Sequence, residues 1–229
     1  MANQSMNKDF RTAGAAGFLF IVLLFLVRIV DVAAIGPAGT SVGLSHLNNT
    51  VHQLFGFHLF WFTLTEGLGF AAIAVACVFA VVGLLQLIQR RSLAKVDRQL
   101  LALGCLYLAV ILIYFFFEKV IVNYRPVIMP GYDEPEASFP SSHTMAVCVI
   151  LGSAAMLMDR YIRDRNLRTA LELVCAFLMC VIVIGRLISG VHWFTDILAG
   201  VLISVALLSA FRGVLKMIGR DERRRRSKY

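Results

Sequence analysis

The chain has 229 residues, of which 59% are hydrophobic and only 16% are charged. Soluble domains are about 45–50% apolar and about 25% charged, so this composition excludes an ordinary soluble domain. It also excludes a disordered chain, because so much apolar surface does not stay solvated. The sequence therefore predicts one integral membrane domain over residues 1–229.

The net charge is +8, but the basic residues stand between apolar runs and do not form one continuous face. This distribution is typical of membrane orientation rather than of a nucleic-acid interface, so we expect no nucleic-acid partner. All five cysteines lie inside apolar stretches and none belongs to a CxxC pair. We interpret them as small hydrophobic residues rather than as disulfides or metal ligands.

A helix needs about 20 apolar residues to cross a bilayer, and six segments reach approximately this length. They predict an all-α, polytopic bundle of six transmembrane helices. We interpret the first segment as a spanning helix rather than as a cleavable signal peptide. The predicted segments cover residues 13–34, 60–88, 99–117, 142–158, 169–189 and 194–218.

All but four of the 22 lysines and arginines lie towards the two termini or in the connections after the second and fourth segments. The positive-inside rule then predicts a multi-pass cell-membrane protein with both termini in the cytoplasm. We expect the basic tail, residues 219–229, to bind anionic lipid at that surface. The four exceptions are Arg28 within the first segment, and Lys119, Arg125 and Arg186 at or near the opposite, outer face.

The start of the sixth segment carries a histidine and an aspartate, His192 and Asp196, at i and i+4. On a helix these side chains would share a face. A carboxylate on one imidazole nitrogen fixes the tautomer and leaves the other nitrogen free as a base, a ligand or a nucleophile. Taken alone, the pair is equally compatible with a structural polar contact.

Two further stretches place polar groups on the same outer side. Residues 140–142 read Pro-Ser-Ser at the start of the fourth segment, where a serine cap and free backbone N–H groups favour anions. His143 follows in the first helical turn. Arg125 and Arg186 offer bidentate recognition of phosphate oxygens. Each feature alone fits a cap or a snorkelling side chain, but together they predict an oxyanion site with a nucleophile.

The order of these motifs resembles that of the type 2 phosphatidic acid phosphatase (PAP2) superfamily. The chain has Arg-Pro at 125–126, Pro-Ser-x-His at 140–143 and Arg-x5-His-x3-Asp at 186–196. The motifs lie within 119–196, and the predicted six-helix topology covers the rest of the chain. The resemblance implies a bacterial membrane lipid phosphatase with its active site at the extracytoplasmic face.

The sequence departs from the family pattern at three positions. Five residues, rather than six, separate Lys119 from Arg125, and Glu118 stands at the position expected for lysine. Ser142 replaces a glycine, and Gly185 replaces a serine. The resemblance therefore leaves the role of Lys119 open, while Ser142 still offers its backbone N–H.

The resemblance also implies roles for individual residues. His192 would attack phosphorus through Nε2 and form a phosphohistidine, with Asp196 holding its imidazole. His143 would protonate the leaving oxygen and then activate water. The residues expected to bind the phosphoryl oxygens are Arg125, Arg186, Ser141, Ser142 and, less clearly, Lys119. No metal or other cofactor is expected, because the acidic residues near these motifs do not form a carboxylate cage.

A site at this depth meets the headgroups of the outer leaflet. We therefore expect the substrate to be a lipid phosphate or lipid pyrophosphate, such as undecaprenyl pyrophosphate, phosphatidate or phosphatidylglycerol phosphate. Membrane lipids are the expected partners, and the sequence leaves the oligomeric state open. Three alternatives also stay open: a lipid phosphotransferase, a non-catalytic lipid-binding or transport relative, and a haem protein using the two histidines.

Several other charged residues have no assigned role at this stage. Glu66, Arg28 and Asp31 lie within or beside apolar segments, where charges are functional candidates by default. Arg28 and Asp31 are spaced i, i+3, so a simple ion pair is one expectation. The acidic residues of the 118–141 connection are expected to be solvated or to gate an anionic substrate; they include Asp133, Glu134 and Glu136.

Overall fold

The computed structural model describes residues 2–129 and 131–227. Within these ranges the chain forms seven α-helices, six of them long and apolar enough to cross a membrane. The six spanning helices confirm the predicted bundle. The helices are α1 (Ala2–Ile29), α2 (Ser45–Phe55), α3 (Leu59–Arg90), α4 (Arg98–Lys119), α5 (Ser142–Tyr161), α6 (Arg165–Ile188) and α7 (Phe194–Arg226).

The helices differ from the sequence-based predictions in several places. The first helix ends at Ile29 rather than near residue 34, and Asp31 beyond it has a left-handed φ of 50°. The last helix continues to Arg226, so the basic tail forms its final turns, while residues 228–229 lie outside the described part of the chain. Helix α2 was not predicted, because it is short and does not span.

Helix α5 is the central element of the bundle. It packs against α3, α4, α6 and α7, and α1 lies along α7. In the apolar window of α5, 56% of residues are buried, compared with 11% in α3. An apolar helix with so little burial has most of its surface available to lipid, whereas α5 is enclosed by protein. The side chains at the start of α5 are therefore held by neighbours on several sides.

The antiparallel course of the spanning helices places the starts of α3, α5 and α7 at the same end of the bundle as the ends of α1, α4 and α6. The 120–141 connection between α4 and α5 lies at this end. Within this connection the backbone pairs with itself: Arg125 N–H donates to the Glu136 carbonyl (2.9 Å) and Ser138 N–H donates to the Asn123 carbonyl (2.9 Å). This end of the bundle carries all the polar motifs described above.

Helix α2 contacts the start of α7 at the same end of the bundle. The Asn48 side chain is fully buried; its amide donates to Thr195 Oγ1 (3.0 Å) and its oxygen accepts from Thr195 N–H (3.1 Å). The turn before α7 passes so close to the end of α2 that a Cβ at Gly190 would lie 1.8 Å from the Gly56 carbonyl oxygen. Gly190 also has a φ of +67°, which favours glycine. These contacts fix the turn that carries His192.

Candidate active site

The second and third motifs meet where α5 and α7 begin. Ser141 N–H donates to the Asp196 carbonyl (3.0 Å), which joins the two helix starts directly. The Ser141 hydroxyl caps α5 by accepting from Thr144 N–H (3.4 Å). Ser142, one residue further on, lines a narrow crevice together with His192. The sequence-predicted serines therefore lie beside the predicted nucleophile.

The His192 side chain is buried between two partners. Its Nδ1 lies 3.0 Å from Ser138 Oγ, and its Nε2 lies 3.3 Å from Nη2 of Arg186. Burial is the main cause that lowers the pKa of His192 well below its ordinary value of 6.5, and the positive charges of Arg125 and Arg186 add to it. At neutral pH the imidazole is therefore uncharged and has one nitrogen lone pair available.

The expected direct contact between His192 and Asp196 is replaced by a contact through Ser138. Asp196 Oδ2 is 4.0 Å from His192 Nδ1, while Ser138 Oγ donates to that same carboxylate oxygen at 2.5 Å. The reason is local: α7 begins at Phe194, so His192 precedes the helix and helical i, i+4 geometry does not apply. The sequence-based expectation of direct contact was wrong in this detail.

Asp196 is fully buried and has two partners besides Ser138. Its Oδ2 accepts from Trp193 N–H (3.0 Å), which caps the start of α7, and its Oδ1 accepts from the Asn123 amide (3.2 Å). Asn123 belongs to the stretch between Lys119 and Arg125. Asp196 thus joins the start of α7 to the Lys119–Arg125 stretch through its carboxylate and to the second motif through its backbone carbonyl, which accepts from Ser141 N–H.

The proton positions around His192 follow from simple counting. The Ser138 hydroxyl has one proton, which it donates to Asp196 Oδ2. It therefore accepts from its second partner, His192 Nδ1–H. This arrangement leaves Nε2 unprotonated, facing Arg186, and sets the tautomer that a nucleophilic imidazole requires.

Arg186 is fully buried and its guanidinium has several distinct contacts. Nη1 donates to Glu66 Oε1 (2.8 Å), Nη2 faces His192 Nε2, and the plane lies over the Phe62 ring with Cζ 5.5 Å from the centroid. Its Nε is buried with no hydrogen-bond partner among the described residues. An orphaned guanidinium donor beside an unprotonated imidazole nitrogen is suited to an anionic ligand.

Arg125 approaches the site from the 120–141 connection. Its side chain is 16% exposed, and its Nε lies 3.5 Å from Glu136 Oε2. The neighbouring Tyr124 carbonyl accepts from the indole N–H of Trp193 (2.7 Å), which fixes this stretch against the start of α7. The positive charge of Arg125 acts on His192, as noted above, so Arg125 belongs to the same electrostatic environment.

His143 lies at the start of α5 and faces α3. Its Nε2 is 3.4 Å from Glu66 Oε2. A Cβ at Gly69, one turn along α3, would lie 2.8 Å from the same nitrogen. The glycine therefore makes room for the imidazole, and Glu66 contacts both Arg186 and His143.

Lys119 is not brought into this cluster. It is the last residue of α4, its side chain is exposed, and within the described part of the chain it has no hydrogen bond or ion pair. The suggested ion pair of Arg28 and Asp31 is also absent. Asp31 instead accepts from His46 N–H (2.8 Å) and lies 2.7 Å from His46 Nδ1, and the backbone hydrogen bond from His46 is the main cause that lowers the pKa of Asp31.

Sequence reasoning missed two residues of this site and left a third undecided. Ser138 and Asn123 lie beside the recognised motifs, but nothing in their spacing indicated a contact with Asp196. Glu66 was noted only as an acidic residue in an apolar segment, and the structure places it between Arg186 and His143. Among the described residues no group of three or more His, Cys, Asp and Glu side chains is arranged to hold a metal ion.

Comparison with known proteins gives a family. The model of the PAP2 superfamily matches residues 99–219, more than half of the sequence. The chain belongs to the PAP2 superfamily, and it is a multi-pass membrane phosphatase. The resemblance seen in the motifs is therefore confirmed, as is the assignment to phosphatases.

A solved structure has the same fold. It is the crystal structure of a transmembrane PAP2-type phosphatidylglycerolphosphate phosphatase from Bacillus subtilis, with a TM-score of 0.62 and 17% sequence identity. The similarity covers 93% of this chain and 96% of that chain. No curated protein sequence matches this chain significantly.

Proposed function

We propose that this protein hydrolyses a lipid phosphate or lipid pyrophosphate through a phosphohistidine on His192. The proposal rests on the tautomer of that imidazole and on the two groups beside its nitrogens. Its Nδ1–H is engaged by Ser138, and its Nε2 lone pair faces the buried guanidinium of Arg186. A nucleophile and a phosphate-binding donor are thus adjacent before any substrate arrives.

In the first step, Nε2 of His192 attacks phosphorus while the bond from phosphorus to the lipid oxygen breaks. His143 gives its proton to that oxygen, so a lipid alcohol, or a lipid phosphate from a pyrophosphate, departs. The Asp196 carboxylate, acting through Ser138, stabilises the positive charge that develops on the imidazole. Phosphorus is then bonded to His192.

In the second step, water attacks the phosphohistidine. His143, now neutral, takes a proton from the water, the P–N bond breaks, and inorganic phosphate leaves. The phosphoryl oxygens are held by Arg125, Arg186, Ser142 and the backbone N–H groups at the start of α5. These groups supply positioning and charge, the main requirements of phosphoryl transfer, without a metal ion.

The position of the site supports a lipid substrate and an extracytoplasmic location. The site lies at one end of the bundle, and the opposite end carries the basic connections, such as residues 90–98 and 160–168. By the positive-inside rule the basic end is cytoplasmic. The whole chain would then form one PAP2-like domain with both termini inside and its basic tail at the cytoplasmic surface.

The experiment is phosphate release by the detergent-purified protein in EDTA. Phosphatidylglycerol phosphate is the first lipid to offer, since the similar solved structure is named for it; phosphatidate and undecaprenyl pyrophosphate follow. We expect release from at least one lipid and loss of release in His192→Ala. Release that requires a divalent metal, or that survives His192→Ala, would contradict the proposal.

A further inference from the structure

We infer that Glu66 is a positioning residue that holds Arg186, the proposed phosphate-binding arginine, and His143, the proposed acid–base histidine, in position relative to each other. The inference rests on the proposed function and adds a residue to it. Glu66 belongs to α3, which lies outside the segment matched by the family model, residues 99–219. It also lies outside the three motifs, so the motif pattern gives no indication of it.

The contact with Arg186 determines which edge of the guanidinium faces the nucleophile. Glu66 Oε1 accepts from Nη1 at 2.8 Å, and the Thr65 hydroxyl lies 3.5 Å from the same nitrogen. Nη2 is left facing His192 Nε2, and Nε is left without a partner among the described residues. The Nε–Nη2 edge is the fork that binds two oxygens of one phosphate. Glu66 therefore holds Arg186 by the nitrogen outside that fork.

The contact with His143 acts on the proton needed by the leaving group. Glu66 Oε2 lies 3.4 Å from His143 Nε2. The other groups that act on this imidazole are Arg186 from α6 and Arg125 from the 120–141 connection, both positively charged, with the neutral His192 nearby. Among the described groups that act on His143, Glu66 is the one that favours the imidazolium form, which burial and the two cations oppose.

The backbone of α3 is fitted closely to the site at this level. Gly69 leaves space for His143, and Gly185 of α6 leaves space for Thr65, since a Cβ there would lie 2.7 Å from Thr65 Cγ2. The two glycines bring α3 close to both helices that carry the residues held by Glu66. A carboxylate in an apolar spanning helix is costly, and here it contacts two residues of the proposed reaction.

The test compares three variants on the lipid that the wild-type protein hydrolyses. Glu66→Gln keeps the shape and one acceptor oxygen but removes the charge, so we expect kcat to fall about 10–100-fold with a smaller change in KM. The alkaline limb of the kcat profile should move to lower pH, because His143 then faces only cations. Glu66→Asp keeps the charge and should keep the wild-type position of that limb, even with a reduced kcat.

Glu172→Gln is the matched control. It removes one carboxylate from a spanning helix at the opposite end of the bundle, where Glu172 forms a half-buried i, i+4 pair with Arg168. It should leave both kcat and the alkaline limb unchanged. A Glu66→Gln protein with wild-type kcat and pH profile, or a limb shifted equally in Glu66→Asp, would overturn the inference. Hydrolysis that survives His192→Ala would instead overturn the phosphohistidine mechanism and leave the Glu66 comparison valid.

Discussion

Among single residues, one hydroxyl group determines the tautomer and orientation of the His192 imidazole. Ser138 connects His192 Nδ1 to Asp196 because the carboxylate itself is 4.0 Å away. Without the hydroxyl, a buried imidazole N–H and a buried carboxylate oxygen each lose a partner. The orientation of the proposed nucleophile therefore depends on a residue that has no part in the proposed bond-making steps.

Ser138→Ala tests this dependence. A hydrogen bond to a charged group contributes about 1.5–3 kcal/mol, so we expect kcat to fall about 10–100-fold. Ser153→Ala is the matched control, because Ser153 is an equally buried serine whose hydroxyl contacts Tyr107 and the Ile150 carbonyl within the bundle. The measurement is the rate of phosphate release by both variants and by the wild-type protein. A Ser138→Ala rate equal to the wild-type rate would show that the Ser138 hydroxyl is dispensable.

The pH dependence of the reaction follows from the lowered pKa of His192. An imidazole with a lowered pKa stays neutral down to a lower pH, so the proposed nucleophilic form of His192 is present well below pH 6.5, the ordinary pKa of histidine. We expect the acid limb of kcat/KM, corrected for the ionisation of the substrate phosphate by ³¹P NMR, to fall below pH 6.5. An acid limb above that value would indicate an exposed or protonated imidazole instead.

The sequence predicted the residue types of the site better than their contacts. His143, His192, Asp196, Arg125 and Arg186 were proposed as site residues because of their chemistry and spacing, and the structure places them close together. Their mutual geometry depends on where α7 begins, and a shift of two residues changed a direct contact into a contact through Ser138. Lys119 was a candidate by spacing alone, and spacing cannot show which way the end of α4 faces.

Among the helices, α3 is the one whose contact with the site was not predicted from the sequence. Its apolar pattern predicted a membrane span, correctly, but that pattern does not show which face meets the motifs. The evidence appears only in the packing, where Glu66 and Gly69 lie on the face against α5 and α6. Helix α2 was missed for a different reason, because a short amphipathic helix between two spans resembles a polar loop in sequence.

Gly69→Ala tests the fit of α3 against His143. The added Cβ would lie 2.8 Å from His143 Nε2, so the imidazole must move. Since a displacement of about 1 Å in a catalytic group costs about 100-fold in rate, we expect a loss of that order. Gly67→Ala, in the same helix, meets no atom within 4 Å and should retain the wild-type rate. Parallel phosphate-release assays and melting temperatures would show whether the two alanines differ in activity alone.

At the scale of the whole molecule, the charge asymmetry assigns the two ends of the bundle to opposite sides of the membrane. Which end is cytoplasmic stays a prediction from the sequence, because the positive-inside rule depends on counting basic residues in connections rather than on packing. The number of spanning helices was readable from the sequence, since length and hydropathy determine it. The arrangement of those helices around α5 required the structure.

Cysteine labelling tests the sidedness. In a variant without the five native cysteines, a cysteine at exposed Glu134 should react with a membrane-impermeant maleimide on intact cells. A cysteine at exposed Ser227, at the other end of the bundle, should react only after the membrane is opened. The reverse pattern would place the site in the cytoplasm.

Trapping the covalent intermediate tests directly whether His192 is phosphorylated. With a nitrophenyl phosphate ester the leaving group needs no proton, so in His143→Ala the first step should proceed while hydrolysis of the phosphohistidine is slow. We predict a burst of about one nitrophenolate per protein molecule, and a phosphoryl group on His192 that is stable to alkali and labile to acid. Phosphorylation of another residue, or the same burst in a protein that also carries His192→Ala, would contradict the account.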